Sequence, residues 1–251
     1  MSPTALRRLI VVGLLVLWEL LPRLGVIPAL FLPPLSSVLA AGWGGAGEYG
    51  RALLVTLFEA SCAMLIACGG GTLAGVAIGS LRGPRALILP LVSALYAVPL
   101  VILYPIFTVW LGIGPQSKIA FGAIYGFLPT MLGTAAGLRT IDPQLLVVAR
   151  SMGASLPQRV LHVLVPAAIP TVLSALRLGG ALVIVGVVVS EMLISAAGIG
   201  FLISRYRSLL DSAHVFAGIL AVLSLAIGFD ALMRRVEHRL AGWRVGSAGA
   251  V

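Results

Sequence analysis

The stretch "VVARSMGASLPQRVLHVLVP", Val147–Pro166, is polar and sharply punctuated in a chain that is otherwise strongly apolar. Just before it, Asp142 and Pro143 predict the start of a helix, because aspartate caps a helix and proline is tolerated in its first turn. Gly153 predicts where that helix ends, since glycine readily adopts the left-handed conformation of a C-terminal cap. Arg150 would then lie in the last turn, where a cation interacts favourably with the helix dipole.

A second helix is predicted directly after Gly153. Ser155 is followed three residues later by Gln158, which is the spacing of a capping box, and Pro157 falls within the first turn. This helix is expected over about 156–164, ending at Pro166. The segment 142–166 is therefore predicted to be a helix, a tight glycine turn and a second helix.

The turn between these helices is short, self-capped and made mostly of small side chains. Such a rigid, protruding turn suits docking into a groove on a partner protein. The alternative is a connector that lies along the membrane surface. The candidate docking residues are Ala149, Arg150, Ser151, Met152, Gly153, Ala154 and Ser155.

Composition decides the class of protein. The chain has 251 residues, of which 60% are hydrophobic and 10% charged, whereas soluble domains are about half apolar and a quarter charged. This predicts a multi-pass membrane protein surrounded by lipid. The net charge of +9 comes from scattered basic residues, so we expect no nucleic-acid binding. Cys62 and Cys68 lie in an apolar stretch without metal-binding partners, and neither a disulfide nor a metal site is expected.

Six stretches are long and apolar enough, or nearly so, to cross a bilayer as helices, which takes about 20 residues. The first has basic residues ahead of an apolar run, like a signal peptide, but Glu19 interrupts it and no small-residue cleavage site follows, so we expect a retained helix. The whole chain, 1–251, is predicted to be one transmembrane domain. The predicted spans are about 6–21, 53–81, 86–111, 117–138, 167–193 and 213–233.

Basic residues are divided unevenly between the predicted loops, and this predicts that both termini are cytoplasmic. The outer loops would then hold the smaller set, Arg23, Arg51, Lys118, Arg205 and Arg207. The cytoplasmic side would hold Arg7, Arg8, Arg82, Arg85, Arg139, Arg150, Arg159, Arg234, Arg235, Arg239 and Arg244. The segment 142–166 falls on the cytoplasmic side in this topology.

Glycines and prolines inside the spans suggest close packing and a bend. Gly71, Gly75 and Gly79 are four residues apart, share one helix face and predict close helix packing. Pro99 and Pro105 each remove a backbone donor from the third span, so they are expected to bend or loosen it. Such bends occur along translocation paths and also in plain helical bundles.

Arg177 and Glu191 carry charge within the fifth span, where charge is costly and usually faces a bundle interior, a cavity or a partner. They are fourteen residues apart on one helix and cannot pair with each other. Arg177 either neutralises an anion in transit or anchors a helix to a carbonyl or an acid. Glu191 either closes an outer gate or caps a neighbouring helix. Glu19 and Asp230 are expected to reach the interface or another helix.

The stretch from Val147 resembles the EAA loop of the permeases of binding-protein-dependent ABC importers. That pattern reads Glu-Ala-Ala, three residues, Gly, nine residues and Ile-x-Leu-Pro, and it matches here at Ala149, Gly153, Val163, Val165 and Pro166. Val147 and Val148 stand where the family has glutamate and its first alanine. The specific polar contact of that glutamate is therefore not expected, whereas the docking role, which depends on the caps and Gly153, is retained.

Four other stretches resemble the nitrate, sulfonate and taurine branch of the same family, in the same order along the chain. They are "LPPLSSVLAA" (Leu32–Ala41), "YAVPLVILYPIFTVWLGIG" (Tyr96–Gly114), "ALRLGGALVIVGVVVSEML" (Ala175–Leu193) and "AGIGFLI" (Ala197–Ile203). The resemblance implies an all-α membrane protein with the six-helix transmembrane domain of a type I ABC importer and a cytoplasmic coupling helix.

The resemblance also implies partners and a location. The partners would be a dimer of ABC ATPase subunits, an extracytoplasmic substrate-binding protein and a second permease subunit, expected to be another copy of this chain. ATP and Mg would bind the ATPase, because this chain has no P-loop pattern; no cofactor and no catalytic residue are expected in it. The location would be the bacterial cytoplasmic (inner) membrane.

The implied function is a permease for a small solute, an organic or inorganic anion of the nitrate, sulfonate or taurine type. Similar permeases carry pyrimidine precursors or aromatic carboxylates. Two other classes of protein predict different sequence patterns. An ion-coupled secondary transporter would show an inverted repeat with a midplane acid, and a membrane-embedded enzyme would show clustered acids or histidines; neither pattern is evident.

Overall fold

The computed structural model describes residues 2–80 and 83–241, and within these ranges the chain is helical with no strands. Arg82 and Arg244, and the predicted end of the second span at Leu81, lie outside the described residues. The α-helices are α1 Pro3–Arg23, α2 Leu35–Gly44, α3 Ala46–Ser80, α4 Gly83–Ala97, α5 Tyr104–Leu111, α6 Pro115–Gly137, α7 Pro143–Ser151, α8 Leu156–Arg159, α9 Val165–Leu193, α10 Ile199–Ser208 and α11 Ser212–Ala241.

Four helical stretches among the described residues are long and apolar enough to cross a membrane. They are Ala46–Ser80, Pro115–Thr140, Leu156–Leu193 and Ser212–Leu240, and they contain most of the predicted second, fourth, fifth and sixth spans. The first predicted span lies within α1, which carries charged residues near both ends and is not among the four. That span stays a prediction.

The third predicted span is not one straight helix. It consists of Arg85–Ala97 and Leu100–Leu111, bent by 80° relative to each other. The break falls at Pro99, which precedes a 3₁₀ turn at Leu100–Leu103. Pro105 has a different effect from the one predicted, because it lies in the first turn of α5, where its missing N–H leaves no hydrogen bond unmade.

The described chain divides into two compact units, and each has its own core. The described residues of Met1–Phe58 and Val188–Leu225 form the first unit, and those of Glu59–Val187 and Ala226–Val251 form the second. The first core contains Val38, Tyr49, Ala52, Ile199, Leu202, Ile203 and Ala217. The second contains small residues of α3 and α6 with valines of α9, namely Ala60, Ala63, Ala67, Ala123, Val183 and Val187.

Gly71, Gly75 and Gly79 lie along the face of α3 that packs on α6 in the second unit. A Cβ at Gly75 would lie 2.6 Å from the Met131 carbonyl oxygen, and one at Gly71 would lie 2.9 Å from the Phe127 carbonyl oxygen. These distances are too short for any side chain. The backbones of the two helices can approach this closely only because glycine occupies these positions.

Candidate functional site

The predicted turn around Gly153 has the geometry of a complete helix terminus. Asp142 caps α7 by accepting a hydrogen bond from the Gln144 N–H at 2.9 Å, and Pro143 occupies the first turn. At the other end, Gly153 has φ +75°. Its N–H donates to the Arg150 carbonyl at 2.9 Å, and the Ala154 N–H donates to the Ala149 carbonyl at 3.0 Å. This pair of bonds defines a Schellman motif, and both predicted caps of α7 are confirmed.

The second helix begins as predicted, but its predicted end is wrong. The Ser155 N–H donates to the Gln158 side chain at 2.8 Å, as the capping box requires. The chain does not stop at Pro166; it passes through a π-turn at Val160–Leu164 directly into α9. The wider π-turn changes which carbonyl faces the proline ring, so the clash that would end a regular helix is avoided.

This continuity makes the Gly153 turn the tip of a long element. Leu156–Leu193 forms one helical stretch of 38 residues, so the turn is continuous with the fifth span. Most side chains of the turn are exposed, whereas Ala149 is buried. Beside the turn lies a groove of about 480 Å³, whose lining includes Val148, Met152 and Pro166.

The exposed surface of the turn is apolar where the family pattern has an acid. Val147 and Val148 are exposed on α7, and Met152 is 81% exposed at its end. Leu156 continues this surface into α8. The surface therefore presents apolar side chains on a rigid backbone, with Val147 at the position of the family's glutamate.

Of the two roles open to Glu191, the structure shows the helix cap. The side chain is 1% exposed; it accepts a hydrogen bond from the Thr56 hydroxyl at 2.7 Å and another from the Gly200 N–H at 2.8 Å. The Thr56 hydroxyl in turn accepts from the Ile199 N–H at 2.9 Å. Together, Glu191 and Thr56 satisfy free N–H groups in the first turn of α10 and place a negative charge at the positive end of its dipole.

Glu19 of α1 has a comparable role at the start of α2. Its carboxylate accepts from the Ser36 N–H and from the Ser36 hydroxyl, both at 2.9 Å, and pairs with Arg23 at 2.6 Å. Of the alternatives considered for Glu19, contact with another helix is therefore the observed one. Two carboxylates of the first unit thus cap helices other than their own: Glu19 caps α2, and Glu191 caps α10.

Arg177 is engaged by an acid on another helix. Its guanidinium binds Asp230 of α11, with Nε 2.6 Å from Oδ1, and its Nη1 lies 3.9 Å from Glu237. Asp230 also pairs with Arg234. This ion pair lies beside a cavity of about 380 Å³ between α9 and α11, and Leu178 and Phe229 also line that cavity. This is the anchoring arrangement; whether an anion passes Arg177 in transit stays a prediction.

The second unit contains a buried ion pair that was not predicted from the sequence. Lys118, expected in an outer loop, lies at the start of α6 with its side chain 5% exposed, and its Nζ is 2.5 Å from Oε1 of the fully buried Glu59 on α3. The sequence did contain one indication of this pair. Glu59 and the single lysine of the chain both lie near the ends of apolar stretches, where a charged side chain usually has a partner.

The four candidate residues for the translocation path each lie in a different local structure. Glu191 caps α10, Arg177 pairs with Asp230, Pro99 lies at the bend of the third span, and Pro105 starts α5. Next to this bend, Tyr104 is fully buried and its ring lies 5.1 Å from that of Phe121. The bend is therefore held in place by aromatic packing.

Long apolar helices, buried charges with partners and an exposed, self-capped turn define a multi-pass helical permease. Residues 70–242 match the family described as "Binding-protein-dependent transport system inner membrane component". The chain belongs to this family and is a permease subunit of an ABC importer.

Two curated relatives span most of the chain. A permease protein of Bacillus subtilis (strain 168), SsuC, named for aliphatic sulfonates transport, is 30% identical over 233 residues, which is 92% of this chain and 84% of the relative. The taurine transport system permease protein TauC of Escherichia coli (strain K12) is 29% identical over 237 residues, 92% of this chain and 86% of the relative.

A solved structure has the same fold. A chain of the MetNI methionine ABC transporter in an inward-facing conformation superposes with a TM-score of 0.68 at 19% identity, covering 78% of this chain and 97% of that chain. At this identity the likeness concerns the fold alone. It agrees with the type I importer architecture expected from the sequence.

Proposed function

We propose that this permease moves a small organic or inorganic anion of the sulfonate or taurine type across a bacterial cytoplasmic (inner) membrane. The names of the two relatives support this substrate class. A separate ATPase subunit dimer binds ATP and Mg and hydrolyses the nucleotide, and this chain supplies the path and needs no cofactor of its own. A pyrimidine precursor or an aromatic carboxylate is the alternative substrate class.

The observation that carries this proposal is the rigid, exposed turn around Gly153. A Schellman motif before the turn and a capping box after it fix its backbone, so it keeps its shape when pressed by a partner. The ATPase contacts the apolar surface formed by Val147, Met152 and Leu156. Because this surface has valine where the family has glutamate, the contact depends on shape and apolar burial rather than on a charge.

Coupling follows from the continuity of the helical stretch behind the turn. When ATP closes the ATPase dimer, the turn moves with it, and the 38-residue stretch Leu156–Leu193 transmits this movement to the fifth span. The spans then rock between inward-open and outward-open states, a domain-level switch. The π-turn at Val160–Leu164 and the bend at Pro99 are the places where the helices depart from regular hydrogen bonding.

The proposed topology has both termini in the cytoplasm. The distribution of basic residues supports it, because Arg7, Arg8, Arg234, Arg235 and Arg239 then lie on the cytoplasmic side. The Gly153 turn faces the ATPase in the cytoplasm, and α10 lies on the outer side, where a substrate-binding protein delivers the anion. A second copy of this chain completes the path.

Reconstituted transport tests the proposal. The chain is co-expressed with an ATPase subunit, purified as a complex and placed in proteoliposomes with a binding protein and radiolabelled taurine or ethanesulfonate. We expect the two subunits to copurify and uptake to require ATP hydrolysis. Uptake that persists without any ATPase and follows an ion gradient would instead establish a secondary transporter. Selective uptake of a pyrimidine precursor or an aromatic carboxylate would reassign the substrate.

A further inference from the structure

The turn between α10 and α11 has an unusual backbone. The Leu210 N–H donates to the Arg207 carbonyl at 3.1 Å, and the Asp211 N–H donates to the Tyr206 carbonyl at 3.0 Å. These are the two hydrogen bonds of a Schellman motif, so this turn matches the one at Gly153. Its left-handed position, however, holds leucine: Leu210 has φ 56° and is the one non-glycine residue with positive φ in the described part of the chain.

Leucine at this position is unfavourable for the isolated chain. The left-handed conformation brings Cβ too close to the following carbonyl oxygen, and a branched side chain adds to the crowding. Packing within the unit does not compensate, because Leu210 is 72% exposed and its neighbour Leu209 is 65% exposed. Strained positions of this kind occur at sites of function. Two adjacent leucines therefore project from a strained turn without covering any core of their own chain.

The turn is held in place by hydrogen bonds, an ion pair and ring stacking. The Tyr206 hydroxyl donates to Glu48 at 2.6 Å, and Arg205 pairs with the same carboxylate at 2.7 Å. The hydrogen bond to Glu48, together with partial burial, raises the pKa of Tyr206, so the phenol stays a donor. The ring of Tyr206 stacks on His214 at 4.4 Å, and His214 bonds Asp211 at 2.8 Å. A rigid apolar projection loses little entropy on binding, which favours its use as an anchor.

Arg207 lies two residues before Leu209 on α10, and Arg51 lies three residues after Glu48, the α3 carboxylate that binds Arg205 and Tyr206. Arg205 is neutralised by Glu48, but Arg207 on α10 and Arg51 on α3 are exposed and form no ion pair with another described residue. Beside Leu209 a groove of about 590 Å³ runs along α10, lined in part by Met192 and Phe201. The surface therefore combines a rigid apolar knob, an adjoining groove and unpaired cations, which suits a protein partner with an apolar recess and acidic side chains around it.

We propose that Leu209 and Leu210, which we term the leucine knob, anchor the extracytoplasmic substrate-binding protein on this permease, with Arg207 and Arg51 attracting acidic groups on that protein. This inference rests on the proposed function, which places α10 on the outer side and assigns a binding protein as partner. In this proposal the left-handed backbone at Leu210 aims the knob at the partner. Lipid contact by the two leucines is the competing explanation, and the test distinguishes the two.

The test measures binding of the purified substrate-binding protein to the ATPase–permease complex in lipid nanodiscs. Leu210→Gly is the informative variant, because glycine adopts the left-handed conformation without strain while the side chain is lost. We expect this variant to unfold at a higher temperature than the wild type and yet to bind the substrate-binding protein about tenfold more weakly. Leu209→Ala should weaken binding similarly, and Leu14→Ala, at an exposed leucine of α1, should bind as the wild type does.

The charges have a kinetic test. Arg207→Glu should slow association and reduce its dependence on salt, whereas Arg207→Lys should keep both near wild-type values, because steering depends on charge. If the wild-type complex binds the substrate-binding protein and both leucine variants bind equally well, the knob does not anchor it and the proposal is overturned. If the wild-type complex binds no substrate-binding protein at all, the partner assigned under the proposed function is wrong, and the leucine-knob proposal is overturned together with it.

Discussion

Lys118 and Glu59 form an ion pair with 2.5 Å between Nζ and Oε1, and their side chains are 5% and 0% exposed. The two charges join the start of α6 to α3 inside the second unit. A pair buried this deeply is costly to desolvate, and its loss is most damaging when only one partner is removed, because the other charge then stays buried without this counter-ion.

Removing one member of this pair should therefore be worse than removing both. We expect Lys118→Met or Glu59→Met to lower the free energy of unfolding by about 3–5 kcal/mol, and the double variant to lower it by clearly less than the sum of the two. Thermal unfolding in detergent, followed by tryptophan fluorescence, measures the effect. Strictly additive losses would show that the two side chains do not depend on each other.

The Thr56 hydroxyl links Glu191 to α10, and its removal should loosen the first turn of that helix. Thr56→Val keeps the shape but removes the acceptor of the Ile199 N–H and the hydroxyl that donates to Glu191 Oε1. We expect a loss of about 1–3 kcal/mol in unfolding free energy, whereas Thr56→Ser should remain close to the wild type. Hydrogen exchange at Ile199 and Gly200 reports the same change locally, and unaltered protection in the valine variant would refute this role.

Close packing of α3 on α6 makes Gly75 intolerant of substitution. A Cβ there would lie 2.6 Å from the Met131 carbonyl oxygen and 2.7 Å from the Thr134 Cβ, whereas a Cβ at Gly69 would have nothing within 4 Å. Gly75→Ala should destabilise the fold by about 1–3 kcal/mol. Gly69→Ala on the same helix is the matched control and should be neutral or stabilising. Equal melting temperatures for the two variants would mean that the helices separate easily.

The Gly153 turn is predicted to serve coupling rather than folding. The space around Gly153 is open, so Gly153→Trp should leave the chain folded and inserted, although the left-handed backbone costs about 1–2 kcal/mol. We expect this variant to lose ATP-driven uptake, because the indole blocks docking of the turn. Gly153→Asn, which tolerates the left-handed conformation and is smaller, should retain more uptake. Normal substrate-stimulated uptake in the tryptophan variant would argue against docking.

Variants of Arg177 distinguish its two candidate roles, which are anchoring α9 to α11 and neutralising an anionic substrate. The Arg177–Asp230 pair is partly exposed, so we expect Arg177→Gln to lower the free energy of unfolding by about 1 kcal/mol or less. If the residue only anchors α9 to α11, the KM for the anion in the uptake assay should stay unchanged. A rise of tenfold or more in KM would instead place Arg177 on the translocation path. Arg177→Glu extends the test, since normal anion uptake by that variant would exclude neutralisation.

Much of the local structure was predictable because it depends on residues close together in the chain. Asp142, Gly153 and the Ser155–Gln158 pair each act on backbone groups within a few positions, so the caps of α7 and the start of α8 followed from spacing alone. The end of the second helix was predicted wrongly at Pro166. Pro166 was expected to end a regular α-helix. The π-turn that precedes it could not be predicted from residue spacing.

Apolar composition, helix caps and small-residue spacing predicted a helical membrane bundle with a rigid turn, and the resemblance around Gly153 and in four further stretches predicted the importer family. Those properties are carried by each residue itself or by its near neighbours. Tertiary structure alone decided that Glu59 meets Lys118, that Glu191 and Thr56 cap α10, and that Arg177 is bound by Asp230. Each of these partners lies more than fifty residues away in sequence, except Glu191, which reaches α10 across a short loop. A buried charge shows that a partner is needed, but only the folded arrangement of helices selects which one.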